Sequence, residues 1–290
     1  MCAPTRGELL TGLDNAVNQL SNVSSGRALL KSGIPTMGNI FAGNGYSTGI
    51  FGKWHMGSNY PYRPQDRGFE ESVWFPSSHI GSVSDFWGND YFDDTYWHNG
   101  KKQKYEGYCT DIFFSESKRF IEESIDREKP FFAYISTNTP HGPLYPKEED
   151  YKVLEKLFDK SEFAGEKGLK SRLVKYLAMI RNIDSNIGDL TDFLDDKGVI
   201  DDTIIIFLTD NGSTMGKSYF NAGMRGMKTE LWEGGHRVPL FIKWVNGNFK
   251  NTGKEVEGLC KVTDILPTLV ELCGLNVTNK SSLKGLSLAS

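Results

Sequence analysis

The sequence has no patterned cysteines. Cys2, Cys109, Cys260 and Cys273 are scattered over 290 residues without a Cys-x-x-Cys pair. Cysteine usage therefore supplies no disulfide framework and leaves the redox compartment open. No apolar run approaches the length of a membrane span. Residues 1–20 lack a basic start leading into an apolar core, so they do not read as a signal peptide. No basic stripe exists either: the formal charge is −4 with both signs interspersed, which argues against nucleic acid as a partner. Internal repeats and low-complexity linkers are also missing. What remains is an ordinary globular composition, 38% hydrophobic and 12% aromatic with 31 glycines. Its length suffices for one large domain or two small ones. Asn22, Asn211, Asn276 and Asn279 each begin an Asn-x-Ser/Thr triplet, a pattern short enough to arise by chance.

The informative stretches are local. Residues 1–12 contain Cys-x-Pro-x-Arg, formed by Cys2, Pro4 and Arg6, followed by an apolar turn and Thr11-Gly12. Pro4 suits the first turn of a helix. That places Cys2 just ahead of a helix N-terminus, where backbone N–H groups and the macrodipole favour an anion. Arg6 lies about one turn on and can point back. Residues 35–42 read as a short helix and residues 46–51 as a strand, with Gly52-Lys53-Trp54-His55 at its end. Lys53 and His55, two apart on an extended segment, would share one side. Residues 56–108 show little periodicity. Their aromatics suit either a satellite core or a stacking surface, and residues 87–97 read as a loop entering a hairpin that turns at His98-Asn99-Gly100. His79 and His98 read as ordinary polar loop residues.

Helical spacing returns over residues 110–125, and residues 131–136 read as a buried strand ending in Thr-Asn-Thr-Pro-His-Gly-Pro. His141 thus lies just past a strand end, where open α/β sheets bind ligands. Residues 144–170 read as a charged surface excursion. Residues 173–194 read as a long amphipathic helix covering a sheet and stopped by Gly198. Residues 203–209 form the clearest buried strand, with Asp210-Asn211-Gly212 at its carboxyl end. Asp210 and Asn211 offer oxygen donors that suit a hard cation such as calcium. Residues 238–244 read as another strand and residues 263–273 as a helix.

Five blocks, at 2–12, 45–55, 137–143, 208–212 and 224–239, occur in an order that resembles the type I, formylglycine-dependent sulfatases. The resemblance implies an alkaline-phosphatase-like α/β fold: a three-layer α/β/α sandwich around a mixed, mostly parallel sheet, as a single catalytic domain over 1–290. It implies that Cys2 is converted to formylglycine, whose hydrate is the nucleophile, by a formylglycine-generating or sulfatase-maturing enzyme. Cys2, Asp210 and Asn211 would then face calcium. Lys53 and Lys228 would bind sulfate, and Arg6 would hold the nucleophile. His141 would serve the leaving group with Lys228 assisting, and His55 would take the proton whose loss releases sulfate. All would meet in one pocket. The substrate class implied is a small sulfated sugar or aryl sulfate, and the compartment periplasmic, secreted or lysosomal. Sulfatases carry a strand with two adjacent aspartates upstream of the cysteine and a small C-terminal subdomain. The expectation is therefore a fragment lacking both, with weak calcium binding and poor turnover. Two alternatives stand at this point: a phosphate or phosphonate monoester hydrolase on the same fold, and a catalytically inactive anion-binding chain.

Overall fold

The structure is a computed structural model that describes residues 1–23, 28–165, 167–215, 220–247, 253, 255–278 and 283–289. The Asn279 triplet lies outside the described residues. In chain order the named elements are α1 (Cys2–Thr11), α2 (Asn15–Asn18), α3 (Met37–Gly43), β1 (Ser47–Lys53), β2 (Glu71–Phe75), β3 (Thr95–His98), β4 (Lys101–Lys104), α4 (Cys109–Asp126), β5 (Phe131–Ser136), α5 (Glu148–Phe158), α6 (Lys167–Asp196), β6 (Ile205–Leu208), α7 (Glu233–His236), β7 (Leu240–Lys243) and α8 (Ile265–Leu272). The α/β class is as expected. The chain divides into two compact units, Met1–Ile40 with Thr191–Ser290, and Phe41–Leu190.

The unit Phe41–Leu190 is built on a five-stranded mixed sheet in the order β4-β3-β2-β1-β5. β1 is central, parallel to β2 on one side and β5 on the other, and all seven of its residues are buried. Pairing Thr48 with Phe132, Ile50 with Tyr134 and Phe51 with Ile135 sorts the side chains onto two faces. Phe132 stacks on Phe41 at 4.3 Å and on Phe69 at 6.1 Å, which covers one face. Helix α4 covers the other, with Phe120 5.6 Å from Phe51 and Phe113 6.1 Å from Phe75. Asn99-Gly100 turns β3 into β4 with φ of 48° and 80°, the left-handed pair that such a hairpin needs.

Several readings of the sequence change here, and one left open is resolved. β2 was not legible in the sequence, and His98 ends a strand instead of sitting in the turn. The stretch 144–170 is not only a surface excursion. It holds α5, whose Asp150 is buried and pairs with Arg181 of α6. α6 is fixed to α4 by Asn182 and Asn186, each of which donates to Asp111 Oδ1 at 2.8 Å. The aromatic region is largely core: Tyr91 and Tyr96 are fully buried, while Trp87 is exposed.

Glu71 opens β2 inside a charged cluster. His98 and Asn99 bond to it at 2.9 and 2.7 Å, and Arg119 pairs with it as well as with Glu116 and Glu123. Glu71, His98 and Glu116 are close enough together to suggest a metal triad, but the Arg119 guanidinium already supplies the positive charge there. Burial opposes ionisation of Glu71. Hydrogen bonds from His98, Asn99 and Arg119 outweigh it and hold the carboxyl at about 2. The same bond to Glu71 raises His98. The Glu71 contribution to stability is therefore complete above the unfolded carboxylate value of ~4.3 and is lost as pH falls toward its folded value. That of His98 is complete below ~6.5 and fades as pH rises through its elevated folded value. Glu71→Gln should cost about 2 kcal/mol at pH 6. In urea denaturation the gap from wild type should narrow by pH 3; a gap independent of pH would refute the assignment.

In the unit Met1–Ile40 with Thr191–Ser290, α1 packs beside α8. Gly12 caps α1 with φ 63°, and its Cα comes so near Leu266 and Leu283 that an added Cβ would lie 3.2 and 3.1 Å from them. β6 pairs antiparallel with β7 in a two-stranded sheet. The buried strand expected at 203–209 is thus only half-buried, and Phe207 is exposed. Among the described strands β7 is its one partner, so its apolar run is not enclosed by strands on both sides.

Candidate active site

α1 begins at Cys2 itself, with Met1 as its N-cap, one residue earlier than the sequence reading. Pro4 sits in the first turn, and Cys2 is 5% exposed. Lys228 Nζ donates to Cys2 Sγ at 3.4 Å and Asn211 Nδ2 donates to it at 3.7 Å. Arg6 Nε lies 3.8 Å from Asp210 Oδ2. Cys2, Arg6, Asp210, Asn211 and Lys228 are therefore brought together within one unit, though they come from distant parts of the sequence.

The backbone explains how. After β6 the Asp210-Asn211-Gly212 turn docks on α7, where Gly212 N–H bonds to Gly235 O at 3.0 Å. A Cβ on Gly212 would stand 1.9 Å from Gly234 O, so glycine is required for this approach. Lys228 N–H bonds to Ser213 O at 3.4 Å, which holds the lysine beside that turn. A cation and an amide donor thus converge on the residue at a helix N-terminus, an arrangement that favours negative charge developing on that side chain. The oxygen donors of Asp210 and Asn211 fit a hard cation in kind. His236 is exposed and its Nε2 bonds to Leu231 O at 3.2 Å.

The second group lies in the unit Phe41–Leu190. Lys53 ends β1 and is 2% exposed. Its carbonyl accepts from Ser136 Oγ at 2.7 Å, and Trp54 N–H bonds to Phe75 O at 3.1 Å, so the segment is tied to both neighbouring strands. His55 is buried, but its φ is 59°. The extended segment therefore stops at Lys53, and His55 lies just beyond it in the left-handed region. His141 follows β5, with its Nδ1 2.6 Å from Gly142 O, so Nδ1 carries hydrogen and donates. Its N–H bonds to Asn138 O at 3.1 Å. His79, which from the sequence reads as an ordinary polar loop residue, follows β2 at the carboxyl edge of the same parallel strands. Its ring lies on that of His141, with centroids 5.3 Å apart and planes 12° apart. Recognising β2 as a strand would have placed His79 at a strand end and flagged it.

The sulfatase family description matches residues 1–275. The chain belongs to the sulfatase family. Among similar proteins, the "Ulvan-active sulfatase" of Formosa agariphila is 29% identical over 96% of this chain and 53% of its own length. The human N-acetylgalactosamine-6-sulfatase is 26% identical over 99% of this chain and 56% of its own. The solved structure of Ps i-CgsB in complex with k-i-k-neocarrahexaose superposes with a TM-score of 0.84 at 26% identity, over 99% of this chain and 64% of that one. The chain thus spans about half the length of the curated relatives it matches. Among its described residues no helix is long and apolar enough to cross a membrane.

Proposed function

We propose that this sulfatase-family chain carries catalytic residues for hydrolysing sulfate monoesters, with a sulfated carbohydrate as the substrate class. The observation that carries the reading is the surroundings of Cys2: a helix N-terminal thiol met by Lys228 at 3.4 Å and Asn211 at 3.7 Å. The carbohydrate class is supported by the relatives, whose names refer to ulvan and N-acetylgalactosamine, and by the structural neighbour bound to a neocarrahexaose.

A formylglycine hydrate at position 2 would supply the attacking hydroxyl, and a calcium ion, held by Asp210 and Asn211, would supply charge to the sulfate oxygens. Lys228 Nζ donates to the atom at position 2 and adds charge where sulfate oxygens gain it. Arg6 steadies the Asp210 carboxylate from 3.8 Å. Lys53 is assigned to sulfate binding and His55 to the proton transfer that releases sulfate. His141 has its Nδ1 hydrogen engaged with Gly142 O, so Nε2 is the atom that passes a proton to the leaving oxygen. Maturation by a formylglycine-generating enzyme and a periplasmic, secreted or lysosomal setting belong to the same proposal.

The test is a side-by-side assay of 4-nitrophenyl sulfate and 4-nitrophenyl phosphate, using protein co-expressed with a formylglycine-generating enzyme and supplied with calcium. The sulfate ester should be cleaved at least ~10-fold faster in kcat/KM. A preference for the phosphate ester would replace this reading with a phosphomonoester hydrolase. No turnover of either by protein that carries formylglycine would leave an anion-binding chain.

A further inference from the structure

Three parallel strands, β2, β1 and β5, end along one edge, and from them the chain leads to His79, Lys53 and His141. Two of these loops are clamped to each other by Asn138, which is 1% exposed. Its Oδ1 accepts the Ile80 N–H at 3.1 Å, and its backbone oxygen accepts the His141 N–H at 3.1 Å. One buried residue thus fixes the two histidines relative to each other. Hydroxyls hold the His79 turn: Ser77 Oγ and Ser82 Oγ donate to His79 O at 3.0 and 2.8 Å, and Ser78 Oγ lies 3.0 Å from His79 Nδ1. The Tyr91 hydroxyl donates to His141 O at 3.1 Å. The result is the near-parallel ring stack, 5.3 Å between centroids.

A stack of two imidazoles tolerates one positive charge and resists two. Burial, and then the nearby Lys53 ammonium, push the His79 pKa below its usual value, which favours the neutral ring there. A neutral π face beneath a protonated imidazole attracts it and limits its rotation. The hydrogen bond from Nδ1 to Gly142 O restrains the same ring within its plane.

We propose that His79 is a positioning residue whose ring is the platform that holds the His141 imidazole with Nε2 set to protonate the leaving oxygen. The proposal rests on the reading of His141 as the leaving-group acid. It assigns His79 no proton transfer of its own.

Proton delivery matters more as the leaving phenoxide becomes more basic, so the test is a series of 4-nitrophenyl, 4-chlorophenyl and phenyl sulfates. Full-chain protein carrying formylglycine would be compared with His79→Ala and His79→Phe. For His79→Ala, kcat on phenyl sulfate should fall about 10-fold with KM little changed, while 4-nitrophenyl sulfate loses less than ~3-fold, so the dependence on leaving group steepens. His79→Phe keeps a ring to stack on and should recover phenyl sulfate turnover to within ~3-fold of wild type. A uniform loss across the series, no loss at all, or a Phe variant as impaired as Ala would overturn the proposal. Wild type that cleaves none of the three esters would instead overturn the sulfatase reading, and this inference with it.

Discussion

Cys2→Ala is expected to abolish sulfate-ester hydrolysis while leaving the fold in place. In the proposed function the side chain at position 2 is the source of the nucleophile, and losing a nucleophile costs at least ~10⁴-fold in kcat even when every binding group remains. Lys228 and Asn211 lose their partner atom, but both lie on backbone held elsewhere, by Ser213 O and by the Gly212–Gly235 contact. The fold should tolerate the change. Cys2 is a small residue in the first turn of α1, and alanine is a good helix former, so the stability change should stay within about 1 kcal/mol. The paired measurement is turnover of 4-nitrophenyl sulfate and the thermal midpoint, both against wild type co-expressed with a formylglycine-generating enzyme. In that wild type, the tryptic peptide ending at Arg6 should show sulfur lost and an aldehyde gained by mass spectrometry. An unmodified thiol together with full activity, or an active Cys2→Ala protein, would remove Cys2 from the mechanism.

Gly52→Ala is expected to destabilise the protein severely, although it adds a single methyl group. Gly52 lies in β1 between two paired strands, opposite Ser136 of β5, with φ 116°. A Cβ there would stand 2.2 Å from Ser136 O, a backbone atom that cannot turn aside. The left-handed φ adds strain for any L side chain. Either β1 and β5 separate, which breaks the parallel ladder, or Lys53 moves off the Ser136 Oγ bond that anchors its carbonyl at 2.7 Å. A loss of about 4 kcal/mol or more in urea denaturation, or failure to express soluble protein, is expected. Gly43→Ala is the matched comparison. It ends α3 with nothing within 4 Å of the added carbon, so it should be neutral or mildly stabilising. Equal behaviour of the two variants would mean that β1 and β5 do not approach as described.

Much of the site was legible because its chemistry is written in short, contiguous stretches. Cys-x-Pro-x-Arg announces a helix start with a functional residue on it, since proline is at home in a first turn. The 30-residue α6 announced itself through apolar spacing, as did α4. His141 was readable because a strand of six apolar or small residues, β5, ends just before it. β2 was not readable. It begins with Glu71 and Ser72, and a charged residue argues against a central strand until its partners are known. Those partners, His98, Asn99 and Arg119, lie far away in the chain. Missing β2 meant missing His79.

By itself the sequence determined several of the helices and strands, that the fold is α/β, and which residues resemble a sulfatase site. Each of these depends on residue type and on spacing within a few turns, which short-range backbone sterics and side-chain periodicity control. Only the tertiary structure decided the rest. The apolar run of β6 is half-exposed because burial depends on what packs against a strand, not on its composition. β1 stops at Lys53 and His55 takes a left-handed φ, a turn that the residue types alone do not record. The His79–His141 stack exists because parallel pairing aligns the ends of β2, β1 and β5, and long-range strand pairing is a property no local spacing records.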